Sequence, residues 1–289
     1  MSTKILITGH GFVARSLAAW LSRFDGRYDC RLISLRDTGW RSAPWQEYDT
    51  IVHTAGIAHV SLDPAMEGEY MRVNRDLAVE AARKARDEGV KQFIFMSSVI
   101  VYGDSAPLGE DKLITAQTVP APSNFYGRSK LEAEAGIRAL ASPDFAAAVV
   151  RSPMIYGHGC KGNFPLLVKC ARTLPVFPLV DNVRSMIFID NLCEFLRLLI
   201  ENRDSGIFWP QNAEPVSTSR LVARLAQAQG RTIRLTRVFN PALQVLRRFT
   251  PLIDKAFGSL HIDRRLSEYR QDYRVAGLEQ SLRETLERR

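Results

Sequence analysis

The residues that most constrain how this chain can fold are six near its N-terminus, Gly9-His10-Gly11-Phe12-Val13-Ala14. They come after a short apolar run, KILITG (4–9). They open a stretch with Phe12, Leu17, Trp20, Leu21 and Phe24 at helical spacing. A G-x-G-x-x-A turn between a strand and a helix is the setting of a dinucleotide fingerprint. Gly9 permits the tight turn, Gly11 lets the backbone approach a pyrophosphate, and Ala14 lets helix and strand pack closely. The helix N-terminus offers unpaired N–H groups and partial positive charge to phosphates.

The rest of the first half repeats the strand–helix alternation. Strands are expected at 31–35, 50–56 (TIVHTAG), 91–97 (KQFIFMS) and 146–150, with helices at 67–88 and 126–140 between them. Strands separated by helices imply a parallel sheet with right-handed crossovers, buried on both faces. The second half departs from that rhythm. It has a Gly-rich loop (157–162), a Pro-rich loop LPVFP (174–178), a strand at 186–189, a helix at 191–201 and an apolar, basic segment at 242–257. The last is read as a lobe helix over the substrate, with membrane or partner docking as the alternative. The expected architecture is therefore α/β: a Rossmann-type doubly wound parallel sheet over residues 1–151, to which later segments return, and a small C-terminal substrate-binding α/β lobe made mainly of 152–289.

Composition excludes several classes. The four cysteines (30, 160, 170 and 193) show no CxxC or Cys/His ligand spacing, which excludes a zinc site or disulfide framework and suits free thiols in a reducing cytoplasm. No metal site is expected. No apolar run is long enough to span a bilayer, and no signal peptide precedes the first strand. The net charge of +8 lies in the last seventy residues, where fifteen Arg/Lys face seven Asp/Glu; the first 219 residues balance at twenty-four of each. That basic third is either a solvated face or an attractor of phosphorylated ligands, anionic membrane or nucleic acid. Nucleic acid is disfavoured, because no recognition motif accompanies the charge.

The reactive candidates are Tyr126 and Lys130, a Y-x-x-x-K at the head of a helix, one turn apart on one face. A tyrosine is a poor base, with an ordinary pKa of about 10. A neighbouring ammonium favours the phenolate, so the pair can transfer protons. Ser97-Ser98 end the fourth strand, at the edge where open α/β sheets bind ligands. At the end of the second strand, Asp37 would hold an adenosine ribose and favour NAD. Ser34 with Arg36 would instead accept a ribose phosphate and favour NADP. His53, inside a strand, and His59 are read as structural.

These pieces resemble the extended short-chain dehydrogenases/reductases of the NAD-dependent epimerase/dehydratase family, including UDP-glucose 4-epimerase-like proteins of bacterial surface-polysaccharide synthesis. The resemblance is carried by ITGHGFVA (7–14), IVHTAG (51–56), VN (73–74), FIFMSSVIVYG (93–103), YGRSK (126–130), RSPMIYGHGCKGN (151–163), LPVFP (174–178), RSMIFIDN (184–191) and KAFGSLHID (255–263). It implies that Ser98 hydrogen-bonds the reacting sugar oxygen, Tyr126 is general base and acid, and Lys130 holds the nicotinamide ribose and lowers the Tyr126 pKa. Gly9, Gly11, Phe12 and Val13 would line the pyrophosphate turn, Ala55 and Gly56 pass under the cofactor, and Asn74 lies near it. Asn163 and Arg184 would meet the substrate diphosphate, and Phe177 the nucleobase. The family's usual turn is G-x-x-G-x-x-G; here it is one residue shorter and ends in Ala14.

The implied activity is a nucleotide-sugar 4-epimerase acting on a UDP-hexose or UDP-N-acetylhexosamine through a transient 4-keto sugar, with bound NAD and a cytoplasmic, commonly dimeric protein. The alternatives are an NAD(P)H-dependent 4-keto-nucleotide-sugar reductase and a non-catalytic cofactor-binding regulator. A 4,6-dehydratase is disfavoured, because Ser98-Val99-Ile100 replaces the Thr-Asp-Glu of that subgroup.

Overall fold

The structure is a computed structural model that describes residues 2–57 and 63–287; His59 lies outside them. Its centre is a six-stranded parallel sheet: β1 (Thr3–Thr8), β2 (Tyr28–Ile33), β3 (Thr50–His53), β4 (Gln92–Ser98), β5 (Ala146–Ser152) and β6 (Gly206–Phe208), in the order β6-β5-β4-β3-β1-β2. The chain moves outward from β1 to β2, then crosses to the other side of β1 to form β3. The strand order therefore reverses between β1 and β3, which is where open α/β sheets hold ligands.

Residues alternate across this sheet, and both faces are covered. On one face Ile5, Ile7, Val52, Ile94, Ala148 and Val150 pack under α1 (Phe12–Leu21) and, further along the chain, the helix Ile189–Asn202. On the other face Leu6, Ile51, Phe93, Phe95, Ala147 and Val149 meet α2 (Leu77–Asp87) and α3 (Phe125–Arg138). Ala78, Ala81, Ala82 and Ala85 form the buried stripe of α2, so this helix sits close to the sheet. Each large aliphatic side chain so enclosed contributes roughly 1.5–3 kcal/mol over an exposed one.

Several elements differ from the sequence expectation. The second strand begins at Tyr28 rather than at residue 31, because Thr3–Thr8 pairs with it along its whole length. The helix expected over 67–88 carries a π-helical stretch, Met71–Asp76, whose wider turn places Asn74 inward and fully buried. LPVFP is not all loop: Val176–Pro178 pairs with Arg234–Thr236. The segment 242–257 is two short helices rather than one, because the chain turns before Pro251, which begins the second.

After β5 come α4 (Phe164–Thr173), α5 (Ile189–Asn202), α6 (Thr218–Ala228), α7 (Asn240–Leu246), α8 (Leu252–Phe257) and α9 (Leu278–Glu287). Alongside them are three two-stranded parallel pairs. Helix α5 and β6 belong to the central layers, and buried residues of α4, α6, α7, α8 and α9 are continuous with the core on that face of the sheet. All four cysteines are free thiols. Among the described residues no helix is long and apolar enough to cross a membrane, and no group of three His, Cys, Asp or Glu could hold a metal.

Candidate active site

The glycine turn is built as its spacing requires. Gly9 has φ +102°, and a Cβ there would lie 3.0 Å from Thr54 Oγ1 and 3.2 Å from Ala55 Cα. A side chain is excluded by both conformation and space. Gly11 is different. It is the N-cap of α1, its φ of −73° is ordinary, and nothing lies within 4 Å of the position a Cβ would take. No side chain caps α1 and its first turn carries no acid, so its N–H groups face open space. Phe12 and Val13 are half-buried against the core, and the Phe12 ring reaches Gly157 of the later Gly-rich loop.

At the end of β3, Gly56 forms the floor of the same crevice. A Cβ there would come within 2.8 Å of Asn74 Oδ1 and 3.4 Å of Lys130 Nζ. Asn74 is held on both sides: its Oδ1 accepts from Ile57 N–H at 2.8 Å, and its amide donates to Ile57 O and Ser129 Oγ. Gly9 and Gly56 thus leave no room for side chains where the ends of β1 and β3 meet Thr54, Asn74 and Lys130.

Helix α3 carries Tyr126 and Lys130. Asn124 starts it by accepting from Gly127 N–H at 2.9 Å. Gly127 lets the helix approach the turn after β4, where a Cβ would lie 2.8 Å from Ile100 O. That approach brings Tyr126 to Ser98. Ser98 caps the short 3₁₀ turn Val99–Tyr102 and accepts from Ile100 N–H. Tyr126 is buried, edge-on to Tyr70 at 6.0 Å. Burial, and then Tyr70, push its phenol up to about 12, while a hydrogen bond with Ser98 acts in the opposite direction.

Lys130 is also buried. Its ammonium donates to Met96 O at 2.9 Å and lies 4.6 Å from the Phe95 ring centroid. Burial lowers its pKa to about 8, against an upward pull from Glu134. The expectation that Lys130 depresses the Tyr126 pKa is not met. Desolvation dominates the phenol, and the amine is turned to the end of β4.

Sequence reasoning missed the support beneath this pair. Glu134, one turn beyond Lys130, is buried and bound by Arg151 through Nε and Nη2. It also accepts from Ser97, and Arg151 donates to Tyr102 Oη at 2.6 Å. No local pattern links residues 97, 102, 134 and 151; the only signal was an arginine, Arg151, near the end of an otherwise apolar, buried strand. His53 is fully buried as well. Its Nδ1 is 3.0 Å from Thr8 Oγ1, and burial together with the Lys130 charge lowers its pKa to about 3, so it stays neutral.

The remaining candidates are placed apart from this cluster. At the end of β2, Ser34 accepts from Arg36 N–H, Asp37 accepts from Gly39 N–H at 3.0 Å, and the Arg36 side chain is exposed. Asn163 is exposed at the N-terminus of α4. Phe177 lies in the core, stacked obliquely on Phe257 at 5.8 Å, because its strand pairs inside the lobe. Arg184 donates to Lys255 O and Gly258 O at the end of α8, and burial lowers its pKa. Phe177 and Arg184 thus share one anchor, α8.

A doubly wound parallel sheet with a glycine turn between its first strand and helix defines the class of Rossmann-type, dinucleotide-binding domains. More narrowly, the chain belongs to the NAD dependent epimerase/dehydratase family, whose model matches residues 5–208. It is 33% identical to the UDP-glucose 4-epimerase of Vibrio cholerae over 193 residues, 64% of this chain and 58% of that protein. It is 26% identical to the N-acetyl-alpha-D-glucosaminyl-diphospho-ditrans,octacis-undecaprenol 4-epimerase of Escherichia coli O157:H7 over 194 residues, 64% of this chain and 56% of that one. The chain therefore spans less than two thirds of the length of these curated relatives. Among solved structures it resembles a dTDP-4-dehydrorhamnose reductase of Clostridium acetobutylicum, with TM-score 0.75, 16% identity and 98% of each chain covered. It likewise resembles a UDP-glucuronic acid 4-epimerase of Bacillus cereus in complex with NAD, with TM-score 0.73, 17% identity and 98% and 97% covered. At those identities the likeness is one of fold.

Proposed function

We propose that this protein is an NAD-dependent nucleotide-sugar 4-epimerase acting on a UDP-hexose or UDP-N-acetylhexosamine. The observation that carries the reading is the placement of Tyr126, one helical turn from Lys130, with Lys130 Nζ 3.4 Å from where a Cβ on Gly56 would lie and Ser98 acting on the Tyr126 phenol. The relatives named 4-epimerases support the same reading. NAD would be held by Gly9, Gly11, Phe12 and Val13 at the pyrophosphate, by Ala55, Gly56 and Asn74 along its length and by Lys130 at its ribose; bound, it supplies hydride exchange at sugar C4. Ser98 donates to the C4 oxygen and orients it. Tyr126 would take the 4-hydroxyl proton and return it, which requires its phenol, pushed up to about 12 by burial, to be lowered when the positively charged nicotinamide is bound beside it. Lys130, with a pKa of about 8, is mainly an ammonium at neutral pH; held at Met96 O, it would hold the nicotinamide ribose rather than act on the phenol. Asn163 and Arg184 are proposed for the substrate diphosphate and Phe177 for its nucleobase, in the part of the chain after residue 152. A cytoplasmic location suits four unpaired thiols. A homodimer belongs to the proposal by family likeness.

A second reading, an NAD(P)H-dependent reductase of a 4-keto nucleotide sugar, is favoured by the end of β2. There Asp37 is occupied by Gly39 N–H, while Arg36 is exposed beside Ser34, as a ribose phosphate would require.

The test combines mass spectrometry of the cofactor retained on purification with NMR of UDP-glucose and UDP-N-acetylglucosamine incubations. Co-purified NAD and interconversion of 4-epimers are expected; stoichiometric NADPH consumption would move the assignment to the reductase. Tyr126→Phe should lower turnover by at least ~100-fold while leaving nucleotide binding intact. Wild-type turnover in that variant would remove the catalytic assignment, and cofactor and sugar binding without turnover in the wild type would mark a regulator.

A further inference from the structure

The helices α7 and α8 present an unusual surface. Of the eleven large hydrophobic side chains exposed among the described residues, six lie within residues 238–252: Val238, Phe239, Val245, Leu246, Phe249 and Leu252. Val238 and Phe249 are 79% and 80% exposed. Single exposed apolar residues are ordinary, but a cluster of this size marks an interaction surface.

The segment is firmly built rather than frayed. Leu243 and Phe257 point inward, and Asn240 Nδ2 donates to Leu179 O. Asp254 accepts from Leu108 N–H at 2.8 Å and pairs with Arg247 at 3.2 Å. With both helices anchored on their inner sides, the turn between them holds Phe249 outward.

Charge identifies what covers it. Residues 231–257 carry six basic side chains and one acidic, Asp254; Arg237 pairs with Asp181 and Arg247 with Asp254, which leaves Arg231, Arg234, Arg248 and Lys255 outside the ion pairs among the described residues. A second copy of the chain seated here across a two-fold axis would bring two such basic rims together, which like-charge repulsion opposes. A surface with apolar depth and negative charge fits both halves of the pattern: aromatic and aliphatic side chains enter the headgroup region while the arginines meet anionic lipids.

We propose that the α7–α8 hairpin is a peripheral docking surface for an anionic lipid bilayer, with Phe249, Leu246 and Leu252 as the inserted side chains and Arg248 among the charged contacts. The hairpin sits on the 106–109 segment, through Leu108 and through Ala106 N–H to Ser259 O, and that segment comes after the turn that Ser98 caps.

The test is co-sedimentation of the full chain with vesicles of mixed phosphatidylcholine and phosphatidylglycerol, against vesicles of phosphatidylcholine alone. Binding to the mixed vesicles, weakened by salt, is expected. The variants Phe249→Ser with Leu252→Ser, and separately Arg248→Glu, should retain the wild-type thermal midpoint because these side chains are exposed. The double variant should bind at least ~10-fold more weakly. Absence of binding, equal binding to both vesicle types, or binding unchanged in the double variant would each overturn the proposal. So would light scattering that showed a wild-type dimer split by Phe249→Ser, because the covering partner would then be a second copy.

Discussion

Tyr126, Lys130 and His53 form a compact problem in desolvation. Each is buried, and each is pushed toward its neutral form. His53 is the extreme case, since it lies in the field of the one ammonium the site needs. Its pKa is about 3 in the folded chain against an ordinary 6.5, so below pH 6.5 the unfolded chain binds a proton that the folded chain refuses. Stability contributed by neutral His53 is therefore present above pH 6.5 and is lost as pH falls toward 3. At pH 5 the loss is about 2 kcal/mol. His53→Gln, which keeps a polar partner for Thr8, should flatten the decline. Urea unfolding at pH 7 and pH 5 checks this, and parallel declines in both proteins would refute it.

At the level of elements, the site depends on two close approaches: β1 into α1, and α3 onto the turn after β4. The two glycines of the first turn serve different ends. Gly9→Ala meets both a positive φ and backbone at 3.2 Å, and should cost about 1–3 kcal/mol, seen as a lowered thermal midpoint. Gly11→Ala meets nothing and should fold as wild type, while its methyl narrows the approach for a pyrophosphate and weakens NAD binding in a titration. Equal destabilisation by the two would refute the distinction. The G-x-G-x-x-A spacing and the Y-x-x-x-K spacing were legible because both are local: one turn of backbone fixes them. Asn74 could be named only through resemblance, since the π-helical turn that buries it has no periodic signal. The Glu134–Arg151 pair was not legible at all, because seventeen residues and a change of element separate its halves. Buried pairs of this kind cost about 3–5 kcal/mol when one partner is removed, so the pair fixes α3 against β5 beneath Lys130.

The whole molecule closes around the point where strand order reverses. A ligand held by the turn, the floor glycine and α3 at once binds only the folded chain. NAD at about 100 times its dissociation constant should therefore add about 2.7 kcal/mol of stability. That corresponds to a rise of roughly 5 °C in the thermal midpoint, measurable by differential scanning fluorimetry. No shift with NAD or NADP would argue against a competent dinucleotide site.

The sequence alone determined the alternation of elements, the parallel sheet, the glycine turn and the one-turn spacing of Tyr126 and Lys130, because each is written in residues that are neighbours along one strand or one helical turn. It misread 242–257 as a single helix, and it assigned Phe177 and Arg184 to a ligand without their anchor on α8. Only the tertiary structure decided which polar groups are buried and against what. Desolvation, which sets the protonation of Tyr126, Lys130 and His53, depends on atoms brought from distant parts of the chain.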